Sequence, residues 1–474
     1  MTTTHPHAHD ESQIASQLEA HGQAHVLRHL ERLDTDARAA FFAQLAEVDL
    51  ALVARLAAGG AEAKLDASAL APAPFVALGT VDHDARARGE ELLRAGKLAA
   101  FTVAGGQGTR LGWKGPKGTY PATVVTGKPL FRVFAEQIAA TERRYGRAIP
   151  WYIMTSPLND ADTRAFFADN NWFGRDPADT FLFPQGTMPS IDFDGKLVLE
   201  SPGAIAVNPD GHGGSIRALH ASGALEDMKA RGIEHLSYFQ VDNPLVRIAD
   251  PAFLGLHADP ARSSGEMSSK MVAKRDAAEK VGVFCEAAGR TVVVEYSDLP
   301  AELAQATDAA GRLRFNAGSI ALHLISVAFL DRLTAGDFAL PFHKARKKVP
   351  YWCDARGATV DPAEPNAIKF EAFVFDALPL AAKSLVLETA REDEFAPIKN
   401  ASGDDSPATS HQLQSNRAAA WLERAGIRIP RRPNGDADLR LEIDPATALD
   451  ADDLDADEIA AQLPPIVAGA EVVI

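Results

Sequence analysis

The chain's strongest constraint is a repeated change of hydrophobic period. "LAAFTVAGG" reads as a buried strand running into a glycine turn, and "GKPLFRVFAEQIAATERRYG" as a helix that stops at Gly146. "PWYIMTS" is the next strand and "NDADTRAFFADNN" the next helix. "TFLFPQG" is again a strand, "GSIRALHASGALEDMKARG" contains helix, and "IEHLSYFQVDN" is a further strand. Strands that alternate with helices predict an α/β fold, a largely parallel sheet with helices on both faces. Ligands of such sheets collect at the carboxyl ends of the strands. Here those ends are Gly105-Gly106, Thr155-Ser156, Gln185-Gly186 and Asp242-Asn243.

The flanking regions differ. Residues 12–58 read as helices, with Phe41, Leu45, Val48, Leu52 and Leu56 forming one apolar stripe; Asp34-Thr35 offers a cap before it and Gly59-Gly60 an end. A Pro/Ala-rich connector and a short helix over 83–95 follow. From about 281 the texture is β-rich, with a hairpin across Ala288-Gly289. "LRLEIDP" and "PPIVAGAEVVI" suggest a small β appendage at the end. At 474 residues a division into about three units is expected: a helical region 1–96, a nucleotidyltransferase-like body 97–415 and a small C-terminal part 416–474.

Net charge is −16, which argues against a nucleic-acid surface, so an anionic ligand needs locally placed cations and backbone amides. Two cysteines, Cys285 and Cys353, make no disulfide framework and no metal pair. The opening "MTTTHPHAHDESQ" has no apolar run of a signal peptide, and no stretch is long enough to span a membrane; a cytoplasmic location is expected. His5, His7 and His9 read as part of a polar tail.

Function hangs on "VAGGQGTRLGWKGPKG", residues 103–118. Two common phosphate loops fail here. "TGKP" puts Pro129 where a Walker loop needs Ser or Thr, and Gly106-Gln107-Gly108-Thr109-Arg110-Leu111 lacks the last glycine of a dinucleotide fingerprint. What remains is a strand, a bare Gly105-Gly106 pair and two cations, Arg110 and Lys117. Backbone N–H groups plus cations can cradle a polyphosphate. The same pattern is also met in a tight strand-to-helix turn with solvated charges.

"AGGQGTRLG" followed by "GPKG" resembles the signature of the UDP-sugar pyrophosphorylases, nearest to the UDP-N-acetylhexosamine pyrophosphorylases. The likeness continues in order through "PQGTMP", "DGHGGSIRAL", "FQVDNPLV", "VGVFCEAAGRTVVVEYSDL", "RFNAGSIA", "IKFEAFVFD" and "REDEFAPIKN", covering about 100–400. It implies a Rossmann-like nucleotidyltransferase fold and coupling of UTP to a sugar 1-phosphate. In that reaction a phosphate oxygen attacks the α-phosphorus in line and pyrophosphate leaves. It assigns Arg110, Lys117 and Lys399 to the phosphates and Asp242 to Mg²⁺. Gly105, Gly106, Gln185, Gly211 and His212 go to the nucleotide, and Gly282, Glu295 and Asn316 to the sugar. No second acidic metal ligand is evident.

The sugar is less clear. Gln107 and Gly118 match the hexosamine group, whereas His212 stands where glucose enzymes carry histidine. N-acetylglucosamine 1-phosphate is the expected acceptor, with glucose 1-phosphate or broader hexose tolerance as the alternative. A nucleotide-binding regulatory protein without chemistry is the alternative of another class. The substrates are small molecules; the oligomeric state is not readable.

Overall fold

The computed structural model describes residues 10–59, 69–81, 83–336, 340–455, 459, 463 and 466–474. His5, His7, His9 and Gly60 lie outside these. The chain forms two compact units. One takes in residues up to Leu65 together with Gly186–Ser215 and Leu340–Val374; the other takes in Asp66–Gln185, Ile216–Ala339 and Phe375–Ile474.

In the first unit three helices, Glu11–Ala20, Thr35–Ala46 and Leu50–Ala57, each begin at an aspartate whose carboxylate accepts backbone N–H groups: Asp10, Asp34 and Asp49. The apolar stripe from Phe41 to Leu56 is therefore split. Asp49 takes the N–H of Leu52 at 2.8 Å and starts a new helix, so Leu50 and Val53 join Phe41 and Leu45 in the core. Against them pack Met188, Ile191, Leu199, Ile205 and Phe370. Strand Ala367–Ala372 pairs antiparallel with Phe342–Lys347, and Ile368 exchanges both backbone hydrogen bonds with Ile191.

The second unit is built on a ten-stranded mixed sheet. Its strands are β1 (Ala71–Pro72), β2 (Leu98–Val103), β3 (Trp151–Thr155), β4 (Thr180–Pro184) and β5 (His235–Gln240). They continue with β6 (Met267–Ala273), β7 (Val283–Ala287), β8 (Arg290–Val294), β9 (Ala317–Ser326) and β10 (Leu385–Glu388). The main order is β1-β7-β9-β5-β2-β3-β4, with β8 on β7 and β6 joining β9 to β10. The run β5-β2-β3-β4 is parallel throughout, and the pairs of β9 with β5, β6 and β7 are antiparallel.

β2 is almost wholly buried because both faces are covered. On one side Trp151 packs on Phe131 and Phe167; on the other Phe101 stacks on Phe183 and meets Tyr238 edge-on. The helix Leu130–Tyr145 buries Leu130, Phe131, Phe134 and Ile138 and ends at Gly146, whose φ of 67° suits a residue without Cβ. β7 and β8 form the expected hairpin, with Ala288 and Gly289 both at positive φ. The helix Pro407–Arg424 runs into the C-terminal part, where Arg440–Glu442 and Glu471–Val473 pair in parallel over a core that includes Trp421, Leu422 and Leu441.

Candidate active site

Parallel pairing in register sets the ends of β2, β3, β4 and β5 side by side, so the loops that follow them share one edge of the sheet. Gly105 follows β2 and Gln185 follows β4. A Cβ built on Gly105 would stand 3.0 Å from Gln185 Oε1, so the missing side chain is what lets the 8 % exposed Gln185 amide lie over the loop. A Cβ on Gly106 would meet nothing within 4 Å, which leaves open space above that backbone. Gly106 itself is held from behind: its carbonyl accepts the N–H of Lys117 at 3.0 Å and the amide of Asn159 at 3.3 Å.

The loop then returns to the sheet through Pro116-Lys117-Gly118. Gly118 has a packing reason to be glycine, since a Cβ there would fall 2.1 Å from the Phe131 ring. This close seat points Lys117 back to the strand end, where its Nζ lies 3.2 Å from Asp242 Oδ2. Arg110 sits in a short turn, Thr109–Leu111, and is exposed.

Asp242 follows β5 and is 9 % exposed. Burial works against its charge. The attraction of Lys117 and Lys399, with the hydrogen bond from Lys117, outweighs that burial and holds the carboxyl below its ordinary value. Lys399 arrives on the segment after β10: the N–H of Ile398 donates to the Asp242 carbonyl at 2.9 Å. Its ammonium lies 5.7 Å from the Phe395 ring centre and 3.6 Å from Asp405. Asp242, Lys117 and Lys399 are thus one electrostatic group, assembled from segments far apart in the chain.

Asn243 stands beside Asp242 at the strand end, where the sequence reading gave it no role of its own. Its amide donates to the Glu394 carbonyl at 2.6 Å and its oxygen accepts from the Ala396 N–H at 3.0 Å, so it ties the Asp242 loop to the segment leading to Lys399. Behind it Lys270 is wholly buried between Asp250 at 2.6 Å and Glu394 at 2.5 Å. The signal in the sequence was the amide beside the strand-end aspartate; the buried lysine gave none.

Gly282, Glu295 and Asn316 are gathered at the open end of the β7–β8 hairpin. A Cβ on Gly282 would lie 3.4 Å from Glu295 Oε1, and Gly282 accepts the N–H of Ser319, three residues past Asn316. Glu295 stands one residue beyond β8.

Gly211 and His212 belong to the other unit. There the His212 ring stacks on Phe373 at 5.3 Å and its Nδ1 accepts the Val374 N–H at 3.2 Å. Burial, reinforced by the nearby His343, pulls the imidazole down to about 4, so it is neutral at pH 7.

A divalent cation fits Asp242 on the chemistry of its surroundings. An ionised, nearly buried carboxylate supplies one hard oxygen, and substrate phosphates and water can supply the rest of an octahedral shell. Among the described residues no group of three His, Cys, Asp or Glu side chains could hold a metal alone.

The parallel strand edge, the glycine loop and the paired lysines around a buried carboxylate define a nucleotide-binding α/β protein of the nucleotidyltransferase type. Residues 56–420 match the profile of the family described as UTP--glucose-1-phosphate uridylyltransferase, and the chain belongs to that family. It is 37% identical over 481 residues to a human protein named UDP-N-acetylhexosamine pyrophosphorylase-like protein 1, covering 94% of each chain. It is 39% identical over 348 residues to the UDP-N-acetylglucosamine pyrophosphorylase of Saccharomyces cerevisiae, covering 71% of this chain and 72% of that one. The solved uridine diphosphate N-acetylglucosamine pyrophosphorylase of Trypanosoma brucei superposes with a TM-score of 0.80 at 27% identity, covering 97% and 96% of the two chains.

Proposed function

We propose that the chain transfers a uridylyl group from UTP to N-acetylglucosamine 1-phosphate, forming the UDP-sugar and pyrophosphate. The observation that carries this reading is Lys117 at 3.2 Å from Asp242 at the strand ends, with the Lys399 segment tied to the same residue through the Ile398 N–H bond to the Asp242 carbonyl. A sugar phosphate oxygen attacks the α-phosphorus, the bond from that phosphorus to the α,β-bridging oxygen breaks, and pyrophosphate leaves with the electron pair. No covalent enzyme intermediate is needed, so the residues act by alignment and by neutralising charge. Gly105 and Gly106 offer backbone N–H groups to the nucleotide, and Gln185 can both donate to and accept from the imide edge of uracil. Lys117 and Arg110 face the departing phosphates, and Lys399 faces the α-phosphate. Mg²⁺ on Asp242 would supply charge neutralisation between two phosphates. Glu295 and Asn316 fix the sugar hydroxyls, with the Gly282 backbone beside them.

The names of the relatives at 37% and 39% identity favour the N-acetylated sugar. The family description names glucose 1-phosphate, and that sugar is the second reading. Pyrophosphate release from UTP with each sugar phosphate, with and without Mg²⁺, separates them. A preference of about tenfold or more in kcat/KM for glucose 1-phosphate, some 1.4 kcal/mol in the transition state, reverses the assignment. No release with either sugar leaves the non-catalytic nucleotide binder.

A further inference from the structure

Behind the Asp242 loop lies a cleft that the uridylyl chemistry does not use. It lies between the helix Leu130–Tyr145, the loop Pro244–Ala249, and the helix Pro407–Arg424 with the C-terminal segment. Apolar walls come from Val246, Ile248, Leu441 and Leu449. Its basic groups are unequally compensated. Arg247 is 3.5 Å from Asp450, a carboxylate shared with Arg86 at 3.0 Å and Arg144 at 3.9 Å. Lys128 is taken by Glu136 and Asp444.

Arg417 is different. Its guanidinium lines the cleft 4.9 Å from the centre of the Trp421 ring, with no carboxylate within 4.0 Å among the described residues. Only its Nη1 finds acceptors, the carbonyls of Leu245 and Asp393, each at 3.5 Å; Nε and Nη2 find none among the described residues. Burial and the charge of Arg247 outweigh Asp393 and Glu394 and pull the guanidinium down to about 10. A cation in the wall of a cavity with a spare edge of N–H donors is matched by an oxoanion, which a guanidinium binds through two parallel hydrogen bonds. The two carbonyls it touches matter as well. Leu245 lies three residues after Asp242, and Asp393 lies six before Lys399. One side chain therefore touches both segments that carry the paired catalytic candidates.

We propose that this cleft is a second ligand site, for a small carboxylate or phosphate ester with an apolar body, held by the free edge of Arg417 beside Trp421. When the ligand engages the guanidinium, the bonds to Leu245 and Asp393 change, and with them the setting of Asp242 and Lys399. This regulatory part rests on the uridylyl-transfer reading; the binding part does not.

Benzoate and phenyl phosphate serve as probes, titrated at constant ionic strength into the full chain and into R417Q and R417K, each checked for an unchanged thermal unfolding profile. Calorimetry reports binding, Trp421 fluorescence (by difference from W421F) reports its place, and pyrophosphate release reports its effect. The expected result is one saturable site for one or both probes that quenches Trp421. Affinity should fall about tenfold or more in R417Q and less in R417K, as loss of a charge-assisted bidentate pair implies. Turnover of the full chain should change with the same half-saturation, and that of R417Q should not respond. Which probe binds tells carboxylate from phosphate. Equal binding by the full chain and R417Q, or no saturation of either probe by about 10 mM, overturns the site. Turnover that ignores a saturated site overturns the coupling. Absence of any turnover, with probe binding intact, refutes the uridylyl-transfer reading and leaves the site standing.

Discussion

Two glycine turns in this chain look alike on paper and do different work. In Gly105-Gly106 the absent side chains leave room: one would abut the movable Gln185 amide and the other would meet nothing within 4 Å. In Gly211-His212-Gly213-Gly214 they make room for the chain itself. A Cβ on Gly211 would lie 2.4 Å from the Ala372 carbonyl oxygen, one on Gly213 2.6 Å from backbone atoms of Ala372 and Phe373, and one on Gly214 2.1 Å from Asp210. The first turn is bare and opens onto unfilled space at Gly106. The second is bare because residues 372–373 are already there. A glycine cluster by itself does not tell the two apart.

That contrast breaks most readily on stability. Gly211→Ala combines a φ of 85° with a backbone clash and should cost about 3 kcal/mol or more, read as a large fall in Tm. A Tm within a degree or two of the parent would mean that the turn is looser than its contacts indicate. The charged cluster at the first turn is tested by Lys399→Ala. Here kcat should fall about a hundredfold, some 2.7 kcal/mol, while UTP binding stays within about tenfold. Equal losses in binding and turnover would make Lys399 a ground-state anchor instead. Gly106→Ala sharpens the comparison from the other side. Tm should hold, and kcat/KM for UTP should fall about tenfold, because the new methyl occupies space meant for ligand. A drop in Tm without loss of activity would move Gly106 into the class of Gly211.

The smallest effect is on pH. His212 is held down to about 4 from an ordinary value of 6.5, so below about pH 6.5 the unfolded chain takes up a proton that the folded chain refuses. Stability is complete above that value and is lost progressively as pH falls toward 4. Between pH 7 and pH 6 the loss is about 0.7 kcal/mol for this one site. His257, pulled down to about 3 by burial and by His235, adds to it in the same direction. Unfolding midpoints across pH 7.5–4.5 should therefore decline less steeply in His212→Asn than in the parent; identical slopes would show that the ring is not neutral in the fold.

Much of the site was readable because its parts sit at strand ends, where a change of period marks them. Gly105, Gln185 and Asp242 each follow an apolar run, and Lys117 lies within the glycine loop. Lys399 was not readable from local pattern at all. A lone lysine in "FAPIKN" looks like solvated surface, and only the resemblance singled it out. Its approach to Asp242 depends on a backbone bond from Ile398 and on the Asn243 bridge, contacts that span some 150 residues. The break at Asp49 was hidden for a related reason. Spacing alone extends a helix through a capping aspartate unless the cap competes for the next free N–H groups, which it does at Leu52.

By itself the amino-acid order determined the alternation of strands and helices, the caps, the hairpin across Ala288-Gly289 and the loops in which chemistry could reside. These are properties of hydrophobic period and of local backbone preference, and they need no distant partner. Only the tertiary structure decided which charges meet, which glycines face open space and which face their own chain, and that Arg417 has donors without a partner among the described residues. Those outcomes depend on which segments pack together, and burial and pairing exist only once they have done so.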